Sequence, residues 1–170
     1  RQPASSNSSM KPNIRVGVVG AGAIAQLAHL PLLSKLRGAQ LVALCDNDRP
    51  KARGLADRFS IPDVFTDIED LLELDELDAV VVATPNHLHE PHALSALRAG
   101  VDVLCERPLA LSARGVERAL AAAQKAGRKV LVGNNHRFRS DVQALGRFLT
   151  NEELGKIVAL RAGSYAQAPP

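Results

Sequence analysis

Apolar positions in this chain fall into two alternating patterns. Short runs rich in Val, Ile, Leu and Ala recur near residues 14–19, 40–45, 61–65, 78–83, 101–105 and 129–133. Runs of that length, bounded by Gly, Pro and Asp, read as strands covered on both faces. Between them, apolar residues return at helical spacing over 23–36, 50–59, 67–74, 91–99, 112–126 and 141–150, and a further strand is expected near 156–164. Local signals fix several helix ends: Asp48 and Ser112 as N-caps, Pro50 in a first turn, Gly100 and Gly127 as stops. Pro31 falls inside its helix and should introduce a kink. Pro91 is expected to open a helix, leaving 84–90 as a loop. Strand and helix alternating over this length predict an α/β fold, a doubly wound and mostly parallel sheet with helices on both faces.

The ends of those strands carry the chemistry. Residues 14–19 break into Gly20-Ala21-Gly22-Ala23-Ile24-Ala25, and residues 40–45 end on Asp46. Strand, G-x-G-x-x-A turn, helix, strand and acid form the layout of a dinucleotide site. Gly20 allows the tight turn, Gly22 lets the backbone approach a pyrophosphate, and Ala25 lets helix and sheet pack closely. The free N–H groups opening the helix, around Ala23 and Ile24, would receive the phosphate charge. Asp46 can accept from both adenosine ribose hydroxyls and repel a 2′-phosphate, which favours NAD over NADP. Arg49 stands close enough to keep NADP possible. Thr84-Pro85-Asn86, Glu106-Arg107-Pro108 and residues 134–138 also follow strand ends, so all should converge on one crevice. Each has a plainer reading, as turn residues, a helix cap or a surface ion pair. His89 is expected to point into the crevice, with His87 and His92 on the surface. The spacing of these histidines lacks a companion cluster, so no metal site is expected.

Composition narrows the partners. The chain has 170 residues, enough for one ordinary domain, and 46% of them are hydrophobic, so the core is real and mostly aliphatic. The net charge is +3, and the basic groups around 49–58 and 114–129 fall at spacings of solvated helix faces. With no Trp, one Tyr and four Phe there are few platforms for stacking bases, which argues against nucleic acid. No apolar run approaches the ~18 residues of a membrane span. Cys45 and Cys105 end strands that such a sheet places about three positions apart, at ~4.8 Å each, too far for a disulfide. Two free thiols point to the cytoplasm. Residues 1–12 are polar and Ser-rich, and read as a mobile tail or scar. If they are the remnant of a processed leader, the location would be periplasmic.

In combination, the glycine turn at 20–25, Thr84-Pro85-Asn86 with His89, Cys105-Glu106-Arg107-Pro108-Leu109-Ala110, and Asn135 with Arg137-Phe138 resemble the Gfo/Idh/MocA family of oxidoreductases. The resemblance implies an NAD- or NADP-binding Rossmann domain over residues 13–135. It also implies hydride transfer at a carbinol carbon of a small carbohydrate or polyol. By that match Thr84, Pro85, Asn86, His89, Glu106, Arg107 and Asn135 border the cofactor, with Thr84, Asn86, His89, Glu106 and Pro108 lining its nicotinamide side. Arg107 replaces the usual family lysine; it keeps the positive charge but cannot release a proton near neutral pH. His89 is the one other candidate for catalysis. Family members continue into a large α/β substrate domain, so residues 136–170 are expected to be a linker helix and the first strand of a truncated second domain. The chain alone should then be inactive, and apolar surface left uncovered should drive a homo-oligomer. The alternative is a non-catalytic nucleotide-binding sensor or assembly module, or a Rossmann-like domain with an empty site.

Overall fold

The computed structural model describes residues 13–150, 155–159, 161 and 163. The tail expected at 1–12 lies outside the described residues. The chain divides into two compact units, Arg1–Gly133 and Asn134–Pro170.

The first unit is one six-stranded sheet: β1 (Ile14–Val19), β2 (Ala39–Cys45), β3 (Asp63–Phe65), β4 (Ala79–Val82), β5 (Asp102–Cys105) and β6 (Val130–Val132). The strands lie in the order β3-β2-β1-β4-β5-β6, and every pairing is parallel. That is the doubly wound order, with its switch point between β1 and β4. Alternation along the strands sorts side chains to two faces. Val18 and Val81 pack with Ala25, Leu30, Ala52 and Leu55 on one side. Val19, Val80 and Val82 pack with Leu71, Ala93, Leu97 and Ala119 on the other. Cys45 and Cys105 are buried and free, on strands separated by β1 and β4.

The helices are α1 (a π-turn Ala25–His29 running into Leu30–Leu33), α2 (Arg49–Phe59), α3 (Ile68–Leu72), α4 (Asn86–Arg98) and α5 (Ala113–Ala126). Asp48 and Ser112 cap as expected: Lys51 N–H donates to Asp48 at 3.0 Å and Gly115 N–H to Ser112 at 3.1 Å. Pro31 resolves differently from a simple kink. The π-turn lies immediately upstream, and Leu30 N–H reaches back five residues to the Ala25 carbonyl. The ladder is widened there, before the residue that has no N–H to give. Most returns from helix to strand pass through a left-handed residue: Gly38 before β2, Ser60 before β3, Glu76 before β4, Gly100 before β5 and Gly127 before β6.

One helix starts where the sequence did not place it. α4 begins at Asn86, so Pro91 sits inside it rather than at its start. Asn86, His87 and His89 are therefore helical, and the expected loop 84–90 shortens to Thr84 and Pro85. The tertiary bonds of His89 and His92, described below, hold this first turn to the end of β4 and offset the donor that Pro91 lacks.

The second unit holds a 3-10 turn, Asn135–Phe138, and α6 (Ser140–Thr150). Arg139 and Asp141 pair at 2.6 Å across its start. Of the strand expected near 156–164, residues 156–159, 161 and 163 carry no strand, and the rest lie outside the described residues. No helix among the described residues is long and apolar enough to cross a membrane.

Candidate dinucleotide site

At the carboxyl rim each loop is started in register by the strand beside it. The first residue beyond five strands donates its N–H to a neighbouring strand: Gly20 to Cys45 at 2.7 Å, Asp46 to Phe65 at 3.1 Å, Ala83 to Val19 at 2.8 Å, Glu106 to Val82 at 2.9 Å and Gly133 to Cys105 at 2.8 Å. The side chains that follow thus inherit the precision of the sheet.

Gly20 has φ +100°, and a Cβ there would lie 2.6 Å from the Ala83 carbonyl oxygen. Only glycine fits both demands. At Gly22 a Cβ would meet nothing within 4 Å, so its backbone faces open space. Gln26 N–H closes onto the Gly22 carbonyl at 3.1 Å, and the N–H groups of Ala23 and Ile24 precede any carbonyl the helix could offer. Ala25 is fully buried against the sheet.

Asp46 ties this turn to β2. Its Oδ2 accepts from Ala21 N–H at 2.7 Å, and its Oδ1 accepts from Asp48 N–H at 2.9 Å and from Lys51 Nζ at 2.9 Å. Burial is the largest influence on this carboxyl and pushes it upward. The Ala21 N–H, the Lys51 hydrogen bond, the Asp48 N–H and the Lys51 charge outweigh it and hold Asp46 below the usual carboxylate range. A cleft of about 370 Å³ opens here, lined by Gly20, Gly22, Asp46, Asn47, Lys51, Thr66, Asp67, Ile68, Thr84, Pro85, Leu88 and His92, among others. Open backbone, a carboxylate at the second strand end and apolar walls suit a dinucleotide's phosphates, ribose and base.

His89 and His92 exchange their expected places, while His87 is exposed as expected. His92 lines the cleft, its Nδ1 3.1 Å from the Thr84 hydroxyl. Burial first, then the charge of His89, keep His92 below the ordinary imidazole range, against the opposing pull of Asp67 and Glu69. The ring and the Thr84 hydroxyl share a hydrogen bond. His89 is only 1% exposed and does not open into the cleft. Its Nδ1 and Nε2 each stand 2.7 Å from a carbonyl oxygen, those of Pro108 and Thr84. Carbonyls only accept, so both contacts are hydrogen bonds when both ring nitrogens carry protons. His89 is a clasp between two strand-end loops, with both ring nitrogens facing carbonyl oxygens rather than the cleft. Among the described residues no group of three or more His, Cys, Asp or Glu could hold a metal.

Glu106 lies apart from that cleft and meets a partner not anticipated from sequence. Its Oε1 is 2.9 Å from His29 Nε2 on α1, and a Cβ on Gly133 would sit 3.2 Å from its Oε2. Arg107, joined to Pro108 by a cis peptide bond, is exposed and has no ion-pair partner among the described residues. Asn135 begins the 3-10 turn of the second unit. Lys51 was also missed. Its signal was the Asp48 cap, because the third helical residue points back toward the N-cap. His29 had none, since Glu106 is 77 positions away.

The sequence model of the oxidoreductase family with an NAD-binding Rossmann fold, Gfo/Idh/MocA, matches residues 14–134. The D-glucoside 3-dehydrogenase of Escherichia coli K12 is 34% identical over 149 residues, 88% of this chain and 42% of the relative. A crystallised 3-ketoreductase from Actinomadura kijaniata, in complex with TDP-benzene and NADP, superposes with TM-score 0.76 at 31% identity, over 81% of this chain and 42% of its own. A scyllo-inositol dehydrogenase from Lactobacillus casei, with bound NAD(H) and scyllo-inositol, shares the fold at TM-score 0.78 and 23% identity, over 84% and 42%. The chain thus spans less than half the length of these relatives.

Proposed function

The chain belongs to the Gfo/Idh/MocA oxidoreductase family, with its NAD(P)-binding Rossmann domain, and from that premise we propose that it is the cofactor-holding part of a dehydrogenase acting on a sugar, polyol or related carbinol. One observation carries the reading: the carboxylate ending β2 is bonded to the backbone of the glycine turn ending β1, at the switch point of the sheet. In this reading Gly20 and Gly22, with the N–H groups of Ala23 and Ile24, receive the pyrophosphate, and Asp46 receives the ribose. Thr84, Pro85, Asn86, Glu106 and Arg107 border the nicotinamide side. When bound, the nicotinamide accepts a hydride from the carbinol carbon. The names of the glucoside and inositol relatives support the substrate class.

A general base must reach the hydroxyl proton directly or through one water. His89 is committed on both nitrogens, Glu106 to His29, and Arg107 holds its proton, so turnover by these residues alone is expected to be very low. Arg107 then acts by charge, and residues 136–170 belong to a further substrate domain. The two buried thiols fit a reducing, cytoplasmic setting. Exposed leucines on α1 and β6 favour a homo-oligomer. Calorimetric titration with NAD and NADP, paired with steady-state NADH formation from a panel of sugars and polyols, tests the reading. Heat with either nucleotide and negligible turnover are expected. No heat with both would leave the domain without its nucleotide role, and ordinary turnover would mean a base lies within this chain.

A further inference from the structure

Resting on the dinucleotide reading, we propose that Lys51 is the residue that sets cofactor choice, by cancelling the Asp46 carboxylate so that the cleft admits NADP as well as NAD. The sequence alone points the other way, since an acid ending β2 should refuse a 2′-phosphate. The geometry changes that balance. A carboxylate offers about four acceptor positions. In Asp46 three are filled, by Ala21 N–H on one oxygen and by Asp48 N–H and the Lys51 ammonium on the other. One position is left for a ribose hydroxyl, so the paired donation of both hydroxyls, which gives an acid its preference for NAD, requires Lys51 to move aside.

The ammonium itself has three donors and spends one on Asp46. Lys51 lines the cleft together with Gly22, Asn47 and Thr66, and its ammonium has no other ion-pair partner among the described residues. A 2′-phosphate placed beside Asp46 would meet a neutral pair rather than a bare anion, with donors to spare. Lys51 is also well placed to stay there. It is a residue of the capped first turn of α2, its own N–H bonded to Asp48 at 3.0 Å, and Asp46 is only 10% exposed beneath it. The other carboxylate lining the cleft, Asp67, is engaged by Glu69 N–H at 2.9 Å at the start of α3.

The test is calorimetric titration of the chain with NAD and with NADP, in wild type, Lys51→Met and Lys51→Arg. Wild type is expected to bind the two within about tenfold of each other. Lys51→Met, which keeps the length and removes the charge, should weaken NADP by about tenfold or more while NAD binds at least as tightly as to wild type. Lys51→Arg should retain NADP. The Lys51 role is overturned if Met weakens both nucleotides equally, changes neither, or if wild type already prefers NAD by more than about a hundredfold. No binding of either nucleotide to wild type would overturn the dinucleotide reading, and this role with it.

Discussion

Asp46 gives three donors a place to go, and its ionisation is therefore linked to folding. Its carboxyl is depressed in the folded state, so it contributes stability above the unfolded value of about 3.9 and loses it as pH falls through the folded value. Unfolding free energies of wild type and Asp46→Asn should differ by a constant amount from neutrality down to about pH 5. The difference should shrink only in more acid solution; an Asn variant equally stable at neutral pH would deny Asp46 any structural role. The two thiols behave oppositely. Burial first, and nearby carboxylates after it, push Cys45 and Cys105 up to about 12, so neither is a thiolate at neutral pH.

Two glycines inside helices separate space from propensity. A Cβ added at Gly54 in α2 would meet nothing within 4 Å, so Gly54→Ala should raise stability by up to about 1 kcal/mol. At Gly115 in α5 the new methyl would strike the Glu90 carboxylate and lie 2.7 Å from the Ala110 Cβ. Glu90 can yield only by breaking its 2.6 Å pair with Arg118, and Ala110 cannot yield at all. Overpacking of about 1–3 kcal/mol outweighs the propensity gain, so Gly115→Ala should melt lower; urea unfolding of the pair decides. The six strands of the first unit were legible in the sequence to within two residues because an apolar run covered on both faces admits few readings, whereas the strand expected near 156–164 is absent from the described residues there. The start of α4 was not. Pro91 matches a first-turn signal, and what overrides it is a set of bonds from His89 and His92 to Thr84 and Pro108, known only once the chain has folded. The cleft was legible in part: the ends of β1, β2 and β4 line it, whereas Glu106 lies apart. The partners at these strand ends were not: Lys51 in place of Arg49, His92 in place of His89, and His29 on Glu106.

In the first unit, the apolar side chains that stand in solvent include two on one helix and one on an edge strand. Leu27 is 82% exposed and Leu32 64%, both on α1, and Leu131 on the edge strand β6 is 61% exposed. Surface of this kind tends to find a cover, so light scattering should show mass rising with concentration above that of one 18.1 kDa chain. A constant monomer mass would leave the homo-oligomer without support. The parallel sheet also divides the first unit's labour between its two rims. Cleft-lining side chains follow the carboxyl ends, whereas the opposite rim consists of chain reversals through Gly38, Ser60, Glu76, Gly100 and Gly127. That far rim is a natural port for grafting: a reporter or an inserted module joined at Gly38 or Gly100 would project away from the cleft, leaving the nucleotide end of the molecule as it is.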